Sequence, residues 1–168
     1  MRVLVAYGSK RGGTAGLAAM IGDALKESGC EAIVSPANDC HIANFDAVIV
    51  AGALYAGRWH RDARRFVKRN TMLLRKLPVW LASSGPLDDS AEQHEIPPTK
   101  HVSKLAAGIN ARGHATFGGR LAPDAKGFPA NVMAQKNAGD WRSQAHVRRW
   151  VDAIVAQLHQ SEIGRAHV

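Results

Sequence analysis

The chain has 168 residues, a length that suits one domain with a sizeable core. Apolar residues make up 46% and charged residues 21%, which excludes a disordered or fibrous chain. Lys and Arg number 22 against 14 Asp and Glu, a net charge of +8 that favours anionic partners.

No apolar run approaches the roughly 20 residues needed to cross a bilayer. The opening stretch, residues 1–7, passes at once into Gly8-Ser9-Lys10 and lacks the apolar core and cleavage site of a secretory signal. Cys30 and Cys40 are too few for a disulfide framework and sit in no CxxC pair, so a cytoplasmic location is expected and no metal site. Arg58, Arg61, Arg64, Arg65, Lys68, Arg69, Arg75 and Lys76 face the single acid Asp62. That cluster fits a solvated helix face and an anion-facing patch equally, and no nucleic-acid-binding signature accompanies it.

Val3-Leu4-Val5-Ala6-Tyr7 is an apolar run closed by glycine and reads as a strand buried on both faces. Over residues 13–27, Leu17, Ala18, Ile21, Ala24 and Leu25 recur at helical spacing before Gly29, which predicts an amphipathic helix with a glycine stop. Ala32-Ile33-Val34 predicts a second strand, and residues 47–52 a third, apolar throughout and therefore central. From Trp59 to Leu77 the residues Ala63, Phe66, Val67, Met72 and Leu73 share one side of a helix that breaks near Asn70-Thr71.

After Pro78, residues 79–82 predict a fourth strand ending at Ser83-Ser84-Gly85-Pro86. Residues 88–98 are polar with a double proline and read as a loop, 102–111 as a helix, and Ala115-Thr116-Phe117 as a fifth strand. Residues 124–139 show no period and are too long for a plain connection, which suggests a lid or partner surface. A last helix is predicted from an N-cap at Asp140 to His159, with Trp150, Val151, Ile154, Val155 and Leu158 inward. One domain therefore spans residues 1–160, and 161–168 is an unpatterned tail whose final residues read as an appended remnant.

Strands alternating with helices predict an α/β fold: a doubly wound three-layer sheet of parallel strands, with ligands at the C-terminal strand ends. Function is thus expected in three loops, 8–14, 53–60 and 83–89. In the first, Gly8-Ser9-Lys10-Arg11-Gly12-Gly13-Thr14 sits between a strand and a helix, where backbone amides and the helix dipole favour an anion. Ser9 and Thr14 add hydroxyl donors, and Gly12 and Gly13 let the backbone close on a phosphate. The loop has no GxxxxGK[ST], no GxGxxG, no acidic pair for Mg²⁺ and no cysteine. A terminal phosphate monoester, as in a mononucleotide, remains; an ordinary glycine turn is the alternative.

Residues Ser9 to Thr14 resemble the phosphate loop of flavodoxins, Ser/Thr-x-Thr-Gly-x-Thr, with Arg11 where the second Thr usually stands. The loop Gly52-Ala53-Leu54-Tyr55-Ala56-Gly57-Arg58-Trp59-His60 is similar to the corresponding loop of the menaquinone-dependent protoporphyrinogen oxidases of the flavodoxin-like superfamily, and the Arg-rich helix with Phe66-Val67-Lys68 matches that branch too. Residues 124–139 depart from it, being shorter than its insertion.

The resemblance implies a flavodoxin-like fold with strand order 2-1-3-4-5 and one FMN. Ser9, Lys10, Arg11, Gly12, Gly13 and Thr14 would hold its phosphate. Ala53, Leu54, Tyr55, Ala56, Gly57 and Trp59, with Ser83, Ser84, Gly85, Pro86 and Leu87, would line its ring, with Tyr55 or Trp59 stacking. The third loop supplies no aromatic, which implies an open flavin face. Arg58 is expected to hold a substrate carboxylate and His60 to take up a proton.

If two or three of Arg58, Arg61 and Arg65 lie about 8 Å from the ring, each stabilises the reduced anion by about 1 kcal/mol at an effective dielectric near 40. Together they raise a one-electron potential by roughly 100 mV before salt screening. That favours an FMN-dependent oxidoreductase acting on a reduced anionic substrate, porphyrinogen-like by resemblance, with a quinone as acceptor. A flavodoxin-type electron carrier working with a redox partner protein, and a flavin-free binding module, are the alternatives. The basic helix from Arg61 to Lys76 is also expected to suit peripheral contact with an acidic membrane.

Overall fold

The computed structural model describes residues 1–9, 12–86, 90–121, 139–140 and 142–166. Five parallel strands form the sheet: β1 (Arg2–Gly8), β2 (Glu31–Pro36), β3 (Ala47–Tyr55), β5 (Val79–Ser84) and β6 (Gly113–Phe117), in the order β2-β1-β3-β5-β6. A short strand β4 (Arg58–Trp59) folds back antiparallel on the end of β3. Once that hairpin strand is set aside, the order is the expected doubly wound one.

Alternation along each central strand divides the core. Val3 and Val5 of β1 point to one face with Ile49 of β3, whereas Leu4 and Ala6 point to the other with Val48 and Val50. Helix α1 (Gly13–Glu27) covers the first face with Leu17, Ile21 and Leu25, joined by Val151, Ile154 and Leu158 of α6 (Gln144–Ala166). Helix α2 (Arg61–Arg69), α3 (Thr71–Arg75) and α5 (Lys100–Ile109) cover the second with Phe66, Leu74, Val102 and Ile109. A one-turn helix, α4 (Ser90–Gln93), precedes α5 within the predicted polar loop. Cys30 and Cys40 are both buried free thiols, one in each face's core, so the sheet separates them. Burial raises the pKa of each.

The break at Asn70-Thr71 has a local cause. Asn70 Nδ2 donates to the Phe66 carbonyl at 2.9 Å, and Thr71 Oγ1 donates to the carbonyls of Val67 and Lys68 at 3.0 Å. The Thr71 hydroxyl thereby takes up carbonyls that a continuing helix would have used, while the Asn70 side chain adds to the bond that its own backbone N–H already makes to Phe66.

Two sequence expectations are corrected at the C-terminal end. Asp140 is not the cap of the last helix: it lies in β8 (Gly139–Asp140), paired antiparallel with β7 (Arg120–Leu121). The cap is Ser143, whose Oγ accepts from His146 N at 3.2 Å and donates to Glu92 at 2.9 Å. Helix α6 then continues to Ala166, through most of the stretch that reads as an unpatterned tail. Residues 124–138 lie outside the described residues. No helix among the described residues is long and apolar enough to cross a membrane.

Candidate functional site

The sheet register brings the predicted loops together. Gly8 pairs with Gly52, Gly52 with Ser83, and Ser83 with Thr116, so neighbouring strands reach the C-terminal edge in one row. Glycines permit close contact there. A Cβ on Gly8 would stand 2.5 Å from Ala63 N of α2, and one on Gly85 would stand 3.0 Å from Leu54 Cδ1. The start of α2 therefore lies against the end of β1, and the third loop packs on the second.

In the first loop, Gly12 takes a left-handed conformation at φ 80° and is the N-cap of α1, with Gly16 N bonded to its carbonyl at 3.1 Å. Among the described residues no side chain caps this helix start, and its first turn carries no acid, which suits the amides of Gly13, Thr14 and Ala15 to an external acceptor. That arrangement fits a phosphate. Gly13 and Thr14 are buried, and Ser9 stands beside them at the end of β1. Lys10 and Arg11, expected in the same cradle, and Leu87, expected along the ring, lie outside the described residues.

The second loop is a β-hairpin. Tyr55 pairs with Arg58 across Ala56 and Gly57, whose φ values of 50° and 77° are those of a turn with both central residues left-handed. The turn leaves Tyr55 38% exposed, edge-on to the His60 ring with centroids 6.1 Å apart. Trp59 is a correction. Its side chain is only 2% exposed, and its ring occupies the space where a Cβ on Gly52 would lie. Its Nε1–H donates to Ser83 Oγ at 2.9 Å. Trp59 is thus a core residue that cannot offer a stacking face, and Tyr55 is the exposed aromatic of this loop.

His60 is drawn into a structural task. As N-cap of α2 its Nδ1 accepts from Asp62 N at 3.2 Å and lies 3.8 Å from the Asp62 carboxylate. Arg58 is exposed and borders a groove between α2 and α5. Ala53, Ser83 and Ser84 are buried, so only their backbone and the flanking Gly85 and Pro86 are placed to form a wall.

Two features carried no sequence signal. Arg142 Nε and Nη2 form a two-point pair with Asp140 at 2.9 and 2.7 Å, and the guanidinium lies against Gly16 in the first turn of α1. The pair holds Arg142 above its ordinary pKa. Behind Trp59, Ser83 Oγ lies 2.8 Å from His114 Nε2. Among the described residues no group of three or more His, Cys, Asp or Glu is placed to hold a metal ion.

An open parallel sheet with its strand-end loops gathered near a glycine-rich helix start defines a doubly wound α/β domain with its switch-point crevice at that edge. The flavodoxin-domain family matches residues 4–136, and the chain belongs to that family. No curated protein sequence matches it. Among solved structures it is similar to oxidised flavodoxin 2 from Bacillus cereus, at 16% identity and TM-score 0.62, covering 94% of this chain and 99% of that one. A flavodoxin from Streptococcus pneumonia gives 13% identity, TM-score 0.58 and coverage of 94% and 99%. A flavo di-iron protein from Thermotoga maritima gives 15% identity and TM-score 0.59, with 94% of this chain spanning only 36% of that one. At such identities the structures establish the fold alone. None of these relatives is a protoporphyrinogen oxidase.

Proposed function

We propose that the chain binds one FMN noncovalently at the C-terminal edge of the sheet and serves as a flavodoxin-type electron carrier. The observation that carries this reading is the flavodoxin-domain match, which includes the uncapped start of α1. The residues fit the group: Ser9 and the amides of Gly13, Thr14 and Ala15 would hold the phosphate, Tyr55 would lie against the ring, and Leu54, Gly85 and Pro86 would wall it. Bound there, FMN would supply one-electron chemistry. The chain's own contribution is to fix the phosphate, shield one side of the ring and present cations at its rim.

A second reading, oxidation of a reduced anionic organic substrate with electrons passed to a quinone, is favoured by one feature. Helix α2, whose start packs against the end of β1, carries Arg61, Arg64 and Arg65 with Asp62 as its only acid. Cations near the ring favour its reduced anionic form. Potentiometric titration of the yellow protein separates the readings. Two well-separated one-electron steps with a very low second potential support the carrier; a near two-electron step at higher potential supports the oxidase. A protein that is colourless as isolated and takes up no added FMN refutes both.

The partner is proposed to be acidic in either case. Next to Arg75 and Lys76, Met72 is 75% exposed and Leu73 47% exposed, a pairing of apolar and basic groups suited to an anionic membrane surface.

A further inference from the structure

Between α2 and α5, on the sheet face opposite α1, lies a groove of about 330 Å³. Its inner wall is apolar, with Val67, Leu105 and Ile109. Its rim is cationic, with Arg58, Lys68 and Lys104. Helix α5 contains no acid, and the one acid of α2, Asp62, is engaged by His60 and Arg61. Among the described residues, none of the three rim cations takes part in an ion pair.

His101 also lines the groove, and its Nδ1 is shielded from solvent without a hydrogen-bond partner among the described residues. Burial lowers its pKa, and the charges of Arg58, Arg64, Lys68 and Lys104 lower it further. Arg58, Lys68 and Lys104, from three elements, line the same groove as this imidazole, and no acid lines it. Like charges gathered over an apolar surface are costly in isolation and complementary to an amphiphilic anion.

We propose that this groove is a second ligand site, on the α2–α5 side of the 53–60 hairpin and sharing only Arg58 with the strand-end loops, for a small organic anion: a carboxylate, phosphate or sulfonate on a one- or two-ring apolar body. The volume lies at the lower end of small-molecule pockets, which span about 300 to 1,000 Å³, and the combination of apolar wall and few polar groups is the usual one for such sites. The ring would lie on Val67 and Leu105, and the acid group would meet Arg58, Lys68 and Lys104. The proposal rests on the groove and is independent of the flavin reading.

Gly108 provides a clean test, because a Cβ there meets nothing within 4 Å and its backbone is ordinary helix. Gly108→Leu therefore adds a side chain at the groove lining from a Cβ that displaces no neighbour. The experiment follows the His101 imidazole and Leu105 methyl signals by NMR, with excess FMN present, while adding 1-naphthoate, inorganic sulfate or neutral 1-naphthalenemethanol. The expected result is saturable shifts with naphthoate, a rise in the His101 pKa on saturation, and at least tenfold weaker binding of sulfate and of the neutral alcohol. Lys104→Glu should weaken naphthoate at least tenfold, and Gly108→Leu should abolish its binding while the remaining spectrum stays folded. Equal response to sulfate, unsaturated drift across the whole basic face, or undiminished binding by Gly108→Leu would overturn the proposal.

Discussion

The indole Nε1–H of Trp59 donates to Ser83 Oγ at 2.9 Å, and the same oxygen lies 2.8 Å from His114 Nε2. If the Ser83 hydroxyl donates to Nε2, one buried polar group, His114 Nδ1–H, lacks a partner. The reverse assignment leaves both the Ser83 proton and the Nδ1 lone pair without one. The chain of donors therefore runs from Trp59 through Ser83 to a neutral His114.

Ser83→Ala removes the central atom of this chain and leaves the Trp59 and His114 nitrogens unpartnered. The expected cost is about 1 to 3 kcal/mol of stability, read from the urea midpoint. A midpoint unchanged from the parent protein would contradict the arrangement.

His114 should remain neutral through the physiological range, because burial pushes its pKa down to about 4. As pH falls below the ordinary histidine value near 6.5, the unfolded chain takes up this proton first, so folding stability declines from there toward the folded pKa and is insensitive to His114 above about pH 6.5. An NMR titration of its imidazole with a midpoint near 6 would refute this.

Gly52→Ala forces a methyl group into the space of the Trp59 ring. We expect a loss of about 1 to 3 kcal/mol and a changed tryptophan fluorescence. An unperturbed emission spectrum with full stability would mean that the ring does not sit there.

Thr14→Ala tests the phosphate cradle. It should weaken FMN binding by about 1 to 3 kcal/mol while leaving the fold intact. Flavin affinity equal to the parent's would move the phosphate elsewhere.

Contact with an anionic membrane makes a separate prediction. The chain should sediment with phosphatidylglycerol vesicles at low salt and not with phosphatidylcholine vesicles. Because Met72 and Leu73 are exposed beside Arg75 and Lys76, serine at both apolar positions should reduce that binding severalfold. Equal binding to both lipids would exclude an electrostatic contact.

The fold was readable wherever one period dominated. Helix α1 occupies residues 13–27 as predicted, since its apolar stripe is uninterrupted and Gly29 stops it. The strand-end loops followed from topology alone. Trp59 was misjudged because nothing marked Ala56-Gly57 as a hairpin turn, and the turn is what reverses the chain and sends the indole inward. The end of α6 was missed because Ser161 to Gly164 continues the helix without apolar periodicity. Ser161 nevertheless accepts from Arg112 Nη1 at 3.2 Å, a contact 49 residues apart that no local pattern announces. The Arg142–Asp140 pair on α1 is hidden for the same reason: proximity to Gly16 is a property of the folded chain.

The antiparallel clip of β7 and β8 has an implication for engineering. Arg120 faces Asp140 and Leu121 faces Gly139 across one ladder, so the polypeptide departs and returns at points about 5 Å apart. A covalent staple across this ladder should therefore hold β7 and β8 together without altering any residue of the parallel sheet or of the two helical layers.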